Sequence, residues 1–321
     1  MKVRPFQKLL ASIPSLTSKQ LDELMEAGED RRRRAKAMQA VETAQSDRGC
    51  AHCASAQVVR NGNSRGLQRY LCKDCGRTFN ATTGTALTGL HHKERLFEQG
   101  KCLVEGMTVR DSAAQMGVSV STAFRLRHRF LQGVVEHQPA QVAGILETDE
   151  TYFRESQKGS RHLTRPARAR GGKATAKGAP KDLVPVLVSR LRGQRHVADR
   201  VLKTMTADQA TKALRDVVGP DTLLCIDGSG ALRKAAAELG VTTKSIAVGH
   251  DGRVMDGVYH VQSANSYHER LKSWLERDLR GVSTKYLPHY LAWMRVSEWF
   301  KSSAKPEHFV ISGLGKQLIN T

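Results

Sequence analysis

The sequence predicts a multidomain chain of the α/β class, and three observations predict it. Two Cys-x-x-Cys pairs mark a small metal-binding module in the first quarter of the chain. A helical stretch with a central glycine follows this module. The second half then alternates apolar runs with helical patterns, which indicates strands and helices layered around a mostly buried sheet. The 321 residues are enough for two or three such domains.

The charge balance indicates a polyanionic partner. Lys and Arg number 51 against 31 Asp and Glu, so the formal net charge is +20. Such a field attracts DNA or RNA, although a membrane surface or an acidic protein could also take this charge. No run of 18 apolar residues occurs, so no transmembrane helix is expected. Residues 1–18 lack a convincing cleavage site, so they are interpreted as mature sequence and the chain as cytoplasmic.

The cysteine module follows a predicted helical segment over residues 1–45. Two pairs of thiolates, each on its own tight turn, are typical of a closed tetrahedral Zn²⁺ site. A redox pair or a chance pairing is the alternative. The run 76–80 after the second pair looks like the closing strand of a zinc ribbon over residues 46–82. The four predicted zinc ligands are Cys50, Cys53, Cys72 and Cys75.

A helix-turn-helix is predicted within residues 83–138. The stretch 107–131 has the pattern of a helix, a turn at Gly117 and a second helix. Ser119 and Ser121 are both available as the second N-cap. A plain helical hairpin is the alternative.

The second helix of this pair carries the candidate DNA contacts. Thr122 and Arg125 lie on its polar side and are expected to reach base edges, and Arg129 is expected to reach a phosphate. His128 falls on the same polar side. Arg127 falls on the apolar side, where its charged end is expected to snorkel to water.

Two aspartates are placed at strand positions. A period of two puts Glu147 and Asp149 on one face of a predicted strand. Asp227 ends a second, apolar strand, just before a glycine turn. A carboxylate at the end of a buried strand is costly unless it is paired, hydrogen-bonded or bound to a cation. The alternative for each is a turn-capping role.

A later helix presents a polar face made of four side chains at positions i, i+3, i+4 and i+7. A solvated face is the alternative interpretation. These four residues are Asn265, His268, Glu269 and Lys272.

A basic loop over residues 154–181 follows the Asp149 strand directly. It holds nine Lys and Arg residues among Gly, Ala, Ser and two prolines. We expect it to contact the phosphate backbone, and the alternative is a solvated linker. Its candidate contacts are Arg165, Arg168 and Arg170.

Apolar runs and helical periodicity predict the strands and helices of the layered second half of the chain. Strands are predicted at 145–153, 183–191, 195–202, 222–227 and 242–248, and helices at 207–218, 231–239, 265–279 and 287–300.

Taken in order, these motifs resemble a group of bacterial insertion-sequence transposases. Members of this group combine a zinc ribbon, a helix-turn-helix and a ribonuclease-H-like catalytic domain with an Asp, Asp, Asn or Glu motif. The resemblance covers roughly residues 48–300. The matching stretches are residues 147–152, 170–174, 223–228, 260–272 and 281–291.

The resemblance implies a set of site residues. The ligands of two Mg²⁺ or Mn²⁺ ions would fall on Asp149, Asp227 and Asn265, with Lys272 as a further catalytic residue. Glu269, one turn from Asn265, is the alternative third ligand. Much of the group has a second Asn two residues before the third ligand, whereas this chain has Ser263 there.

The resemblance also implies a function and a domain order. The chain would be a DNA transposase that binds the terminal repeats of its element and cuts and transfers strands of double-stranded DNA into target DNA. It would act as a homodimer or higher oligomer near the bacterial nucleoid, with no membrane partner. The predicted segments are a helical one at 1–45, the ribbon at 46–82, the helix-turn-helix at 83–138, a ribonuclease-H-like mixed sheet flanked by helices at 139–303, and a tail at 304–321.

Two other functions fit the same motifs. A regulator, or a decayed transposase, would bind DNA without cutting it. A ribonuclease-H-like nuclease or resolvase would cut DNA without joining it and would not need specific end sequences.

Overall fold

A computed structural model describes residues 3–46, 49–64, 67–90, 95–167, 182–246 and 254–315. The chain divides into two compact units. The first unit contains Met1–Gly84 and Thr88–Glu98, and the second contains Thr85–Leu87 and Gln99–Thr321. None of the helices in the described ranges is both long and apolar enough to cross a bilayer.

The first unit begins with two helices and ends in a small antiparallel sheet. The helices are α1 (Val3–Ser12) and α2 (Ser18–Ser46), and they agree with the helical segment predicted over residues 1–45. The sheet has the order β1-β2-β3, with strands Val58–Ser64, Leu67–Cys72 and Thr78–Asn80. Its core contains two of the cysteines and a stacked pair of rings, Tyr70 and Phe79, whose centroids are 5.6 Å apart. The predicted closing strand is therefore present as β3.

The helical part of the second unit contains the predicted helix-turn-helix. After α3 (Leu96–Val104) come α4 (Val109–Met116) and α5 (Val120–Val135). Gly117 ends α4 in the left-handed region, with φ of 59°, which a glycine adopts without a Cβ penalty. Ser119 caps α5, since its side chain accepts a hydrogen bond from the backbone N–H of Thr122. Of the two candidate caps, Ser119 is thus the one used.

A five-stranded mixed sheet forms the centre of the second unit. Its order is β6-β5-β4-β7-β8. Strands β4, β5 and β6 form an antiparallel meander. β7 pairs in parallel with the other edge of β4, and β8 pairs in parallel with β7. This is the ribonuclease-H-like arrangement that the resemblance implied. The strands are Val142–Arg154, Leu183–Leu191, Val197–Val201, Val218–Asp227 and Thr242–Ile246.

Helices cover both faces of this sheet. On one face, α6 (Ala207–Leu214) and α7 (Gly230–Leu239) pack on apolar residues such as Leu146 and Leu224. The opposite face, with Ile145, carries α8 (Gln262–Ser273), which contacts β4 and β5. α8 continues as a π-helical turn at Trp274–Asp278.

The last two helices pack against α5. These are α9 (Leu287–Phe300), which also contacts β6, and α10 (Pro306–Gly313). Gly133 of α5 permits this close packing, because a Cβ there would lie only 2.4 Å from the carbonyl oxygen of Ser312. α10 lies in the expected tail at 304–321, where the sequence pattern does not predict a helix.

Two other elements differ from the sequence expectation. α6 ends at Leu214, four residues early, because the backbone of Val217 bonds to Val142 and Val218 opens β7. β-branched valines fit a pleated strand better than a helix.

Two predicted segments lie outside the described residues. They are residues 168–181 of the basic loop, which include Arg168 and Arg170, and the predicted strand end at 247–248.

The side-chain pattern of α5 also differs from the expectation. Arg127 does not reach water: it is 1% exposed, and its Nη2 donates to the carbonyl of Met107 at 2.6 Å and to Ser112 Oγ at 3.0 Å. Its guanidinium lies 4.9 Å from the ring centre of Trp293 in α9. His128 is buried as well, with Nδ1 2.8 Å from Nδ1 of His289. The apolar side of α5 is wide because α9 and α10 both pack on it.

A buried ion pair fixes β6 to α9. Arg295 and Asp199 are 1% and 3% exposed, and the guanidinium bonds directly to the carboxylate. The hydroxyl of Tyr267 donates to the other carboxylate oxygen at 2.8 Å. Arg295 also donates to the carbonyls of Val134 and Val135, so it connects α5 to the same network.

We predict that Asp199→Ala destabilises the protein by about 3–5 kcal/mol, because it leaves the Arg295 charge buried without a partner. Urea unfolding of the full chain measures this loss. The matched control is Asp216→Ala, whose ion pair with Arg200 spans 3.7 Å with Asp216 71% exposed. That change is expected to cost about 0–1 kcal/mol. Equal losses in the two variants would contradict the prediction.

Candidate active site and cysteine cluster

The two predicted aspartates lie side by side on the sheet. β4 and β7 run in parallel, with Thr148 opposite Ile226, so Asp149 and Asp227 are next in register. Along β4, Leu146 faces the α6 and α7 layer while Ile145 faces the opposite layer. Alternation therefore puts Asp149 on the α8 side of the sheet, as predicted.

A third carboxylate joins them. One carboxylate oxygen from each of Asp149, Glu150 and Asp227 lies within 4.8 Å of the other two. Sequence analysis missed Glu150, since strict alternation assigns it to the other face of β4. The adjacent acidic residue in the sequence was the only available signal. Glu150 Oε2 is buried and has no hydrogen-bond partner among the residues that the structure describes.

The electrostatics of this cluster favour a bound cation. Burial raises the pKa of Asp149 to about 7, and the negative charges of Asp227 and Glu150 add to this effect. Burial and Asp227 likewise raise the pKa of Glu150. Lys272 offsets only part of the effect on Asp149. Hard divalent ions such as Mg²⁺ take carboxylate oxygens as ligands, so the residues present fit such an ion.

Helix α8 brings the other predicted residues to the same side of the sheet. His268 is buried, and its Nδ1 lies 3.7 Å from Asp149 Oδ2. Burial and the charge of Lys272 lower the pKa of His268 to about 4, so the ring is neutral at pH 7. Asn265 and Glu269 are both exposed, one turn apart on α8. His268 is thus the member of this face in direct contact with the acidic cluster, a role not assigned from the sequence.

A buried glutamate fixes the start of α8 to β4. Glu147 is 0% exposed, and its Oε2 accepts a hydrogen bond from the backbone N–H of Ser263 at 2.7 Å. Its Oε1 accepts from Ser263 Oγ at 3.0 Å and from Arg192 Nε at 2.8 Å. The N-cap of α8, Val261, offers no side-chain bond, so Glu147 replaces the missing cap from a neighbouring strand.

This contact sets the position of the whole helix. Glu147 and Asp149 are two residues apart on β4, and Ser263 and Asn265 are two residues apart on α8. The bond therefore fixes the helix that carries Asn265 and Lys272 to the strand that carries the first aspartate. Ser263, where much of the resembling group has Asn, keeps a side-chain donor at this point.

We predict that Glu147→Gln destabilises the protein by about 1.5–3 kcal/mol, because it weakens several charge-assisted hydrogen bonds at once. Hydrogen exchange at the first turn of α8 should accelerate more than exchange in α7. The matched control is Glu238→Gln, since Glu238 is an exposed acid whose contact with Arg215 spans 3.9 Å. Glu238 accepts a side-chain hydrogen bond from Thr211 at 3.0 Å, which a glutamine can also accept. Unchanged exchange in α8 would contradict the anchoring role.

The cysteine cluster of the first unit has the geometry of a zinc site. Cys50 and Cys75 sulfurs lie 3.7 Å apart, and those of Cys53 and Cys72 lie 3.6 Å apart. Tetrahedral Zn–S bonds of about 2.3 Å place sulfurs about 3.8 Å apart. All four cysteines are free thiols. The backbone N–H of Cys75 lowers the pKa of Cys72 to about 6, which favours the thiolate that zinc requires.

We predict that the purified chain holds about one equivalent of zinc, and that Cys72→Ser reduces this content to below half an equivalent. A closed four-thiolate site contributes directly to folding, so chelation should unfold the β1-β2-β3 sheet. Elemental analysis and circular dichroism before and after chelation are the measurements. Cys225→Ala, at a cysteine of the second unit, should retain the zinc; full zinc content in Cys72→Ser would exclude the site.

The candidate DNA contacts occupy different environments. Arg125 is exposed, with Nε donating to the carbonyl of Ser121 at 3.3 Å. Thr122 and Arg129 are half-exposed on the same helix. Arg165 is already paired, since its Nε lies 2.7 Å from the carboxylate of Glu155. Its charge is therefore partly compensated within the protein.

An intasome and a transpososome are among the solved structures that align with this chain at low sequence identity. The simian T-cell lymphotropic virus intasome in complex with PP2A regulatory subunit B56 gamma aligns over 62% of this chain and 68% of that chain, with 13% identity and a TM-score of 0.30. A pre-cleavage Mos1 transpososome aligns over 68% of this chain and 78% of that chain, with 13% identity and a TM-score of 0.23.

Comparison of sequences gives closer relatives. An uncharacterized protein in transposable element ISH50 of Halobacterium salinarum is 31% identical over 247 residues, which are 75% of this chain and 82% of that protein. The insertion element iso-IS1N protein InsA of Shigella dysenteriae is 35% identical over 77 residues, 24% of this chain and 82% of that protein. The family described as ISXO2-like transposase domain matches residues 141–295, which span the whole sheet and α8. The chain therefore belongs to the ISXO2-like transposase family.

Proposed function

We propose that this protein is a transposase that binds the ends of its own element and cuts and joins DNA strands with the help of divalent metal ions. One observation carries the proposal: the carboxylates of Asp149, Glu150 and Asp227 converge within 4.8 Å on a ribonuclease-H-like sheet of a transposase family member. Uncompensated acids at this density are expensive in a folded protein unless they serve a cation.

The residues of the cluster have distinct proposed roles. Two bound Mg²⁺ or Mn²⁺ ions would stabilise charge on the attacking and leaving oxygens and activate the attacking hydroxyl. Asp149 and Asp227 would hold them from two adjacent strands, with Asn265 supplying an amide oxygen from α8. Glu150 is a further carboxylate that could share this task.

The remaining side chains of α8 would assist through charge and shape. Lys272 is half-buried and close enough to lower the pKa of Asp149, so its ammonium is positioned to meet a phosphate of the strand being cut. His268 keeps a neutral ring against Asp149, and its Nε2 is buried without a partner among the described residues. That nitrogen is available to a bound water molecule.

Recognition of the element ends is assigned to the N-terminal parts of the chain. The helix-turn-helix presents α5 with Thr122, Arg125 and Arg129, and the ribbon would add contacts next to it in sequence. The net charge of +20 supports binding to double-stranded DNA. Because both ends of an element have to be processed together, we propose that the active form is a homodimer or larger oligomer.

Strand-transfer assays with the full chain, terminal-repeat DNA and Mg²⁺ or Mn²⁺ test the chemistry. Asp149→Asn and Asp227→Asn are expected to lower joining by at least about 10³-fold, since the metal ligands supply several kcal/mol of transition-state stabilisation. Both variants should still bind the DNA. The control is Asp256→Asn, which changes an exposed acid outside the cluster. This variant should join DNA at the wild-type rate. Joining by either aspartate variant at the wild-type rate would exclude these carboxylates as the catalytic site. Wild-type protein that binds the repeats but neither cuts nor joins them would instead indicate a regulator or a decayed transposase.

The same assay identifies the third ligand. With Asn265 as the ligand, Asn265→Ala abolishes joining, Asn265→Asp keeps some, and Glu269→Ala has a mild effect. Inactive Glu269→Ala or Glu150→Gln beside active Asn265→Ala would instead assign the ligand to that glutamate. Cleavage of DNA that lacks the terminal repeats, without joining, would indicate a nuclease or resolvase.

A further inference from the structure

A large cleft opens within the second unit, away from the carboxylate cluster. Its volume is about 1440 Å³. One wall is formed by the first turns of α4 and α5. The other wall is formed by residues 158–160, just after β4, and by residues 277–286, between α8 and α9. Sites for small molecules usually occupy about 300–1,000 Å³, so this cleft fits an extended ligand better.

The lining of the cleft is strongly basic. Two acids, Asp111 and Asp278, also line it, and Asp111 accepts a hydrogen bond from the hydroxyl of Thr108 at 2.7 Å. Six exposed cations against two acids leave an excess of four positive charges. Within the described ranges no ion pair joins any of the six to a carboxylate. They are Arg110, Arg125, Lys158, Arg277, Arg280 and Lys285.

The wall opposite α5 is held in a defined shape. Lys158 Nζ donates to the carbonyls of Arg280 and Gly281, both at 2.6 Å. Arg280 has a φ of 55°, a conformation that non-glycine residues rarely adopt without support. The backbone N–H of Thr284 also donates to the carbonyl of Ser156 at 3.0 Å. Lys158 is thus a brace, which leaves Arg277, Arg280 and Lys285 to face a ligand.

The opposite wall adds positive potential of its own. α5 is 16 residues long, and its first turn at Val120 and Ser121 lines the cleft. The unpaired N–H groups of a helix start carry partial positive charge. Arg125 lines the cleft on this side, whereas Thr122 and Arg129 lie outside it. Of the candidate DNA contacts on α5, Arg125 therefore faces the cleft, and Thr122 and Arg129 do not.

We propose that this cleft binds the phosphate backbone of DNA between α5 and the Arg277–Lys285 wall. The inference rests on the proposed function and deepens it, because it gives one DNA strand a defined path beside the helix-turn-helix. It also changes the role of Arg125, from reading a base to contacting a phosphate. Thr122 remains the side chain of α5 that is expected to reach a base edge, and Arg129 remains expected to reach a phosphate outside the cleft.

The test compares two double variants of the full chain. Arg277→Gln/Lys285→Gln removes two cleft cations and spares the strained backbone at Arg280. Arg233→Gln/Lys234→Gln removes two exposed cations from α7, on the other face of the sheet. Fluorescence anisotropy measures affinity for terminal-repeat duplex at several salt concentrations. Each lost phosphate contact lowers the slope of log affinity against log salt by about 0.9.

The cleft variant should lower the slope by about two and the affinity at about 0.1 M salt by roughly ten- to a hundredfold, whereas the α7 variant should change neither. Arg125→Ala should weaken repeat and random duplex by the same factor, as a phosphate contact does. Equal slopes for the cleft variant, the α7 variant and wild type would overturn the proposal. Wild-type protein that binds no DNA at all would instead overturn the proposed function.

A second measurement does not depend on the stability of the double variants. Tyr286→p-benzoylphenylalanine places a photoreactive group in the cleft lining, and Arg233→p-benzoylphenylalanine places the same group on α7. Irradiation with labelled duplex should crosslink the first protein at least tenfold more than the second. Equal crosslinking at the two positions, or competition by polyglutamate but not by unlabelled duplex, would contradict a DNA site.

Discussion

The buried carboxylate of Glu147 is the interaction on which the geometry of the site depends. The sheet would position Asp149 and Asp227 by backbone pairing alone, but nothing in that pairing determines where α8 lies. Glu147 accepts two bonds from Ser263 and one from Arg192, and Arg192 in turn donates to the carbonyls of Val258 and His260. One side chain therefore connects the central strand, the neighbouring hairpin and the segment that leads into the helix.

That arrangement separates two kinds of acidic residue on one strand. Glu147 is surrounded by donors, so its charge is satisfied inside the protein. Asp149 and Glu150, a few ångströms further along, face other acids, the neutral ring of His268 and the charge of Lys272. The sequence Glu-Thr-Asp-Glu thus contains first an acid whose charge is satisfied by internal donors, and then two acids whose arrangement fits a bound cation.

Sequence patterns predicted the parts of this protein that depend on local rules. The cysteine pairs, the capped turn at Gly117, the positions of the strands along the chain and the two aspartates all follow from spacing, capping or alternation within short windows. The partners of Glu147 and Arg127 could not be predicted, because Ser263 and Trp293 lie more than 100 residues away along the chain. Glu150 was missed for a different reason: alternation assigns its side chain to the other face of β4, and only the three-dimensional structure brings its carboxylate oxygen to the other two. Helix α10 has a weakly patterned sequence, and its packing on Gly133 becomes visible only in three dimensions.

The burial of Arg127, His128 and Arg295 has a mechanical consequence. These side chains connect α5 to α9 and to β6, so the second helix of the helix-turn-helix is part of the same packed body as the five-stranded sheet. A reading helix on a flexible tether could meet its sequence at many distances from the point of cleavage. Under the proposed function, a reading helix built into the core would instead fix the number of base pairs between the sequence that it reads and the phosphate that is cut. Element ends with one or two base pairs inserted in that interval would then be bound as well as before but cut poorly.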